Sequence, residues 1–175
     1  ASEFRYRNPI INDKTLMIVM SQSGETADTL AALREAKAQG ARVIAVTNVV
    51  GSSVSREADD VIYTWAGPEV AVASTKAYTT QLLTMYMIGL FFAENLNTTP
   101  AEEIEAIKTD MLRLPELAEE MLTHKEVIQK FATKTYAHKD MFFLGRGLDY
   151  AVAMEGSLKV KEISYIHSEA YAGGE

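Results

Sequence analysis

The chain has 175 residues, no cysteine and a net charge of −7. That length holds a sizeable core in one or two domains, and the missing cysteines exclude disulfides and thiolate chemistry within it. Nucleic acid is not an expected partner, because no run rich in Lys or Arg is present to neutralise its phosphates. From the N-terminus, Leu16–Ser21 reads as a buried strand that runs straight into Ser-Gln-Ser-Gly-Glu-Thr. Residues 26–39 follow as a helix, with Leu30, Leu33 and Ala36 at helical spacing and Gly40 placed to end it. Residues 41–47 form a second strand whose near-continuous apolar character suits a parallel sheet covered on both faces. After a turn-rich stretch with a short helical turn (residues 48–58), residues 60–65 read as a third strand. This alternation predicts an α/β fold: three α-β-α layers around a mostly parallel sheet.

Gly67-Pro68 opens a loop that leads to Ser74, the expected N-cap of a helix over residues 75–95. Few charges interrupt that helix, which predicts deep packing. Its most apolar part, residues 85–93, is half the ~20 residues needed to span a bilayer, so no membrane partner is expected. Thr98-Thr99-Pro100 signals a new helical start. The helices over residues 102–121 and 125–136 are more polar and are expected to cover or link domains. A strand over residues 140–144, Gly145-Arg146-Gly147 and a helix over residues 150–166 repeat the theme of residues 15–39. The expected division is residues 1–97, a linking segment over 98–138, and a second α/β unit over 139–175. Ala1 is not a methionine, and Ala172-Gly173-Gly174-Glu175 closes no element, so the chain reads as a fragment. The absence of cysteines and of a signal peptide fits a cytoplasmic location.

Candidate chemistry concentrates in two places. Ser21, Gln22, Ser23, Gly24 and Thr26 gather hydroxyls, an amide and backbone N–H groups at one helix N-terminus, where orphan donors and the helix dipole favour an anion. The alternative is that Ser23 or Thr26 only caps the helix, with Glu25 adding favourable charge in its first turn. One cap needs one such residue, and four polar side chains point towards phosphate. The acidic surface repels a sugar phosphate at long range, so such a site works through local donors. Glu162 is the candidate acid/base, with Lys159 three residues away on the same helical face and able to influence its ionisation. The alternative there is a surface ion pair worth ~0–1 kcal/mol.

His167 is a possible base or a capping or packing residue at a helix end, whereas His124 and His138 read as solvated. No HExxH motif or Cys/His cluster is present, so no metal site is expected. Gly145-Arg146-Gly147 invites a dinucleotide reading, but the third glycine of that fingerprint falls on Tyr150. There is no GxxxxGK[ST] phosphate loop either. No cofactor is expected.

Three segments, SQSGETADTL (residues 21–30), VASTKAYTTQ (72–81) and AMEGSLKVKEISYIHSEAY (153–171), together resemble the isomerase half of the glutamine:fructose-6-phosphate amidotransferases. ASEFRY at the start and GRGLDY at residues 145–150 fit the same alignment. The resemblance spans essentially the whole chain and implies flavodoxin-like SIS (sugar-isomerase) domains. It implies conversion of fructose 6-phosphate and ammonia to glucosamine 6-phosphate by a homodimer. By the family pattern Ser21, Gln22, Ser23 and Thr26 hold the sugar phosphate, and Val72 and Ser74 contact the sugar. Glu162 moves the proton between C1 and C2, and Lys159 is the accompanying lysine.

Other parts of the pattern have no counterpart in the 175 residues. These are the glutaminase domain with its cysteine nucleophile, an opening strand with a Cys-Gly-Thr-Ser loop, the ring-opening histidine and the imine-forming lysine. The chain by itself is therefore expected to be inactive. A further expectation is that residues 141–144 fill the place of the opening strand beside residues 16–20. Another SIS-family phosphosugar isomerase or deglycase, or a non-catalytic module that senses sugar phosphates, remains an alternative reading.

Overall fold

Three apolar segments rich in β-branched residues, β1 (Leu16–Ser21), β2 (Arg42–Thr47) and β3 (Asp60–Tyr63), form a parallel sheet in the order β1-β2-β3. The computed structural model describes residues 1–174; Glu175, the last position of the expected second α/β unit, lies outside the described residues. The register sets Ser21 beside Thr47, and Thr47 beside Tyr63, so the strands' C-terminal ends share one edge. Alternation along the strands sends Val19, Val43 and Ala45 to one face. There they meet Leu30, Leu33 and Ala36 of α2 (Ala27–Ala38) and Val54 of α3 (Ser53–Glu57). Leu33 and Val43 are fully buried, and each such side chain contributes about 1.5–3 kcal/mol. A short helix that the sequence reading did not anticipate, α1 (Ser2–Tyr6), adds Phe4 to this cluster.

The other face of the sheet is occupied by α4 (Lys76–Asn95), which gives the expected layering of helices on both sides. Its deep packing is not observed. Only Ala77, Thr84 and Ile88 are buried, while Tyr86, Met87 and Phe91 are more than half exposed. An apolar cavity of about 890 Å³ lies between α4 and sheet residues such as Ile44 and Ile62. Met87 and Phe91 line that cavity, so α4 stands off the sheet instead of packing onto it. No helix among the described residues is long and apolar enough to cross a membrane.

The chain divides into two units: residues 1–70 with 74–99, and residues 71–73 with the chain from Pro100 onward. In the second, the polar stretch expected as one helix over 102–121 is two, α5 (Ala101–Leu112) and α6 (Leu114–Leu122). Pro115 in the first turn of α6 explains the break. Pro100 is the N-cap of α5 rather than its first helical residue. Next comes α7 (Lys125–Thr135), then β4 (Asp140–Gly145), α8 (Leu148–Ser164) and β5 (His167–Ala172).

The strand β5 corrects the expectation that His167 marks a helix end. The helix stops at Tyr165, in a left-handed conformation with φ of +57°, and His167 opens a strand parallel to β4. Ser168, fully buried, donates its hydroxyl to the Ser157 carbonyl at 2.8 Å, and Ser157 donates to the Ser168 carbonyl at 3.0 Å. Residues 141–144 pair with β5 and belong to a sheet separate from that of β1, so they do not fill the opening-strand position. The Gly-Arg-Gly turn has a steric role: a Cβ on Gly145 would overlap the Asp149 carbonyl.

Candidate functional site

In the first unit, β1 ends on Ser21, and residues 22–26 turn the chain into α2. Ser21 is buried. Its Oγ accepts the Gly24 N–H at 3.0 Å and lies 3.2 Å from Thr26 Oγ1. Ser23 Oγ accepts the Glu25 N–H at 3.2 Å. Main-chain bonds tie the loop to its surroundings: the Gln22 carbonyl accepts the Asn48 N–H at 3.2 Å, and the Gly24 carbonyl accepts the Val54 N–H at 2.9 Å. Gly24 has φ of +68°, and a Cβ there would overlap the Ser52 side chain and sit 2.9 Å from Thr47 Oγ1. Only glycine meets both demands. The hydroxyls of Thr47 and Ser52, just beneath, are buried without a hydrogen-bond partner among the described residues.

Thr26 occupies the N-cap of α2, yet it makes no side-chain cap bond. Thr26 thus leaves the first-turn N–H groups of α2 without its cap, and the loop just before them carries the hydroxyls of Ser21, Ser23 and Thr26. The alternative capping reading, in which Glu25 adds charge to the first turn of this helix, does not hold for Glu25. Its carboxylate accepts the Ser53 N–H at 2.8 Å and the Ser53 hydroxyl at 2.6 Å, so it caps α3 instead. Those bonds hold the Glu25 carboxyl below its ordinary range.

The residue expected to cap α4 also differs. Thr75 takes the N-cap position, and Glu69 supplies the acceptor: its Oε2 receives the N–H groups of Ala77 at 3.1 Å and Thr75 at 3.3 Å. Ser74 is half-buried just before that helix, and Val72 is 88% exposed. Asn48, passed over in the sequence as part of a turn, accepts the Ala66 N–H at 2.8 Å and donates to the Gly67 carbonyl at 2.7 Å. Asparagine in a turn was the available signal, but its partners lie 16–19 residues away.

In the second unit, Lys159 Nζ lies 2.7 Å from Glu162 Oε2, as the spacing on one helical face requires. It also lies 3.2 Å from Glu155 Oε1, four residues back, a partner equally readable from the spacing and missed. Glu162 foremost, and then Glu155, hold the Lys159 ammonium above its ordinary pKa. The side chains of Lys159 and Glu162 remain 22% and 33% exposed. This arrangement presents a fixed cation beside a carboxylate that solvent, or a small ligand, can reach. His167 stands at the start of β5 with Nε2 3.8 Å from Glu169.

Comparison with known proteins places these elements in context. Residues 1–90 and 135–175 match the SIS domain family. The isomerizing glutamine–fructose-6-phosphate aminotransferase of Clostridium acetobutylicum is 79% identical over all 175 residues, which make up 29% of that protein. The same enzyme of Clostridium tetani is 71% identical with equal coverage. Among solved structures, the C-terminal domain of glucosamine-fructose-6-phosphate aminotransferase from Francisella tularensis superposes with a TM-score of 0.95 at 42% identity. That match takes in 99% of this chain and 49% of the other. The chain thus spans under a third of the length of these curated relatives.

Proposed function

The chain belongs to the SIS domain family, and from that premise we propose that it is the sugar-phosphate-binding and isomerising part of a glutamine–fructose-6-phosphate aminotransferase. The observation that carries this reading is the N-terminus of α2, which Thr26 does not cap and whose preceding loop presents the hydroxyls of Ser21, Ser23 and Thr26. The phosphate of fructose 6-phosphate sits there, on the first-turn N–H groups, with the Gln22 amide and the three hydroxyls completing its shell. Val72 and Ser74 contact the sugar. Glu162 takes the proton from C1 as a carboxylate, carries it as the neutral acid and returns it at C2, and the Lys159 ammonium, 2.7 Å away, orients its side chain. The ammonia comes from glutamine through a glutaminase domain elsewhere in the polypeptide, and the enzyme works as a cytoplasmic homodimer. Residues 1–97 form the first SIS unit, residues 98–138 link, and the chain from residue 139 belongs to the second.

Calorimetric titration of the complete aminotransferase with fructose 6-phosphate tests the reading. Binding is expected to be competitive with inorganic phosphate and to weaken about tenfold in each of Ser23→Ala and Thr26→Ala, the effect of losing one hydrogen bond to a charged group. Equal affinity for fructose without its phosphate would overturn it. Binding of the sugar phosphate without any C1/C2 proton exchange would favour a sensing module instead.

A further inference from the structure

We propose that Asn48 is a positioning residue of the sugar-phosphate site, one amide that holds the segment bearing Ser74 in register with the phosphate loop. This rests on the function proposed above. Asn48 is the first residue beyond β2, at the edge where the C-terminal ends of the strands meet and where parallel sheets bind their ligands. It reaches both neighbouring loops. On one side its backbone N–H donates to the Gln22 carbonyl of the phosphate loop at 3.2 Å. On the other its side chain makes three bonds to the segment leaving β3. Oδ1 accepts the Ala66 N–H at 2.8 Å and the Thr64 hydroxyl at 3.2 Å, and Nδ2 donates to the Gly67 carbonyl at 2.7 Å.

Trp65, in the middle of those three partners, has φ of +53°. A bulky aromatic residue adopts that conformation only where its surroundings over-determine it. Asn48 supplies that constraint by gripping the residues on both sides of it. Farther along, Glu69 anchors the same segment to the N-terminus of α4, immediately after Ser74. The path from Thr64 to α4 is thus pinned at its beginning by Asn48 and at its end by Glu69.

The two kinds of bond separate in a variant. Asn48→Ala keeps the backbone N–H on Gln22, so the phosphate loop stays in place, while all three bonds to residues 64–67, where the segment leading to Ser74 begins, are lost. In the complete aminotransferase this substitution is expected to raise KM for fructose 6-phosphate about tenfold. The same physical picture leaves kcat and the inhibition constant of inorganic phosphate within about twofold of wild type, because the backbone bond survives. Thr64→Val removes one of the three bonds at nearly constant volume and is expected to raise KM about twofold to threefold. It also serves should Asn48→Ala fail to fold. An unchanged KM in the folded variants would overturn the inference, and so would a parallel rise in KM and in the phosphate inhibition constant, the mark of a merely structural support. A folded wild-type enzyme that neither binds nor turns over fructose 6-phosphate would instead overturn the proposed function itself.

Discussion

Around Ser21 and Thr26, the bonds that shape the site join parts of the chain far apart in sequence: Gln22 to Asn48, Gly24 to Val54, Glu25 to Ser53. In α8, Lys159 finds both its carboxylates within four residues on its own helix. The first region is a product of the tertiary fold, and its geometry stands or falls as a unit. The second is set by helical periodicity and survives any change that leaves the helix intact. A binding pocket of the first kind is sensitive to single atoms beneath it, whereas the second separates chemistry from stability.

The largest expected effect comes from the local region. Glu162→Gln in the complete enzyme should slow C1/C2 proton exchange by about 10²–10⁴-fold, the usual worth of a general acid/base. Global stability should move by no more than ~1 kcal/mol, because the ion pair it breaks is partly exposed. Isotope exchange into the sugar, followed by NMR, measures the first, and urea unfolding measures the second. Exchange at the wild-type rate would remove Glu162 from the chemistry and dissolve the contrast.

Gly24→Ala probes the tertiary region and should couple what the previous variant separates. The added methyl meets Ser52 and Thr47 at a positive φ, so stability should fall by roughly 3 kcal/mol from overpacking and strain together. Sugar-phosphate binding should be lost with it. Adding Ser52→Gly should recover part of the stability by relieving the overlap, but not the part due to the backbone. A Gly24→Ala protein of normal stability and affinity would show that the loop accommodates change as easily as α8 does.

The same contrast decides what could be read before the structure. Residues 16–21, 42–47 and 60–63 announce themselves as strands because apolar β-branched side chains dominate them. The Lys159–Glu162 spacing places that pair on one helical face without further information. His167–Ala172 carries no β-branched residue; its parallel pairing with β4 makes it a strand, and the reciprocal bonds of Ser157 and Ser168 tie it to α8 across eleven positions. Glu25 and Glu69 look like ordinary loop acids, yet Glu25 caps α3 rather than the adjacent α2, and Glu69 caps α4 in place of the expected Ser74. The orphan hydroxyls of Thr47 and Ser52, and the reach of Asn48, depend on how β1, β2 and β3 pair and leave no local trace. The apolar composition of α4 shows that the helix needs cover but says nothing of which element provides it.

The smallest effects lie in the pH response, where the two units differ in sign. In the first, the carboxyls of Glu25, Glu57, Asp59 and Asp60 are held below their ordinary values, chiefly by bonds from Ser53, Arg34, Lys37 and Arg42 in that order. Each contributes stability that is present above the unfolded carboxyl pKa, near 4, and is lost as pH falls through the lower folded value. In the second, Lys159 is held above its ordinary value by Glu162 and Glu155. Its contribution is fully present below the unfolded lysine pKa, about 10.4, and is lost as pH rises through the folded one. Trp65, the chain's single tryptophan, lies in the first unit and reports its acid transition by fluorescence. Replacing Glu25 with glutamine should remove one titrating cap and make that transition less steep, while Lys159→Met should alter only the alkaline arm followed by helical circular dichroism. All these groups keep contact with solvent, so both changes are small and shrink further in salt. An acid transition that ignores Glu25 but responds to Lys159 would reverse the assignment of charge to region.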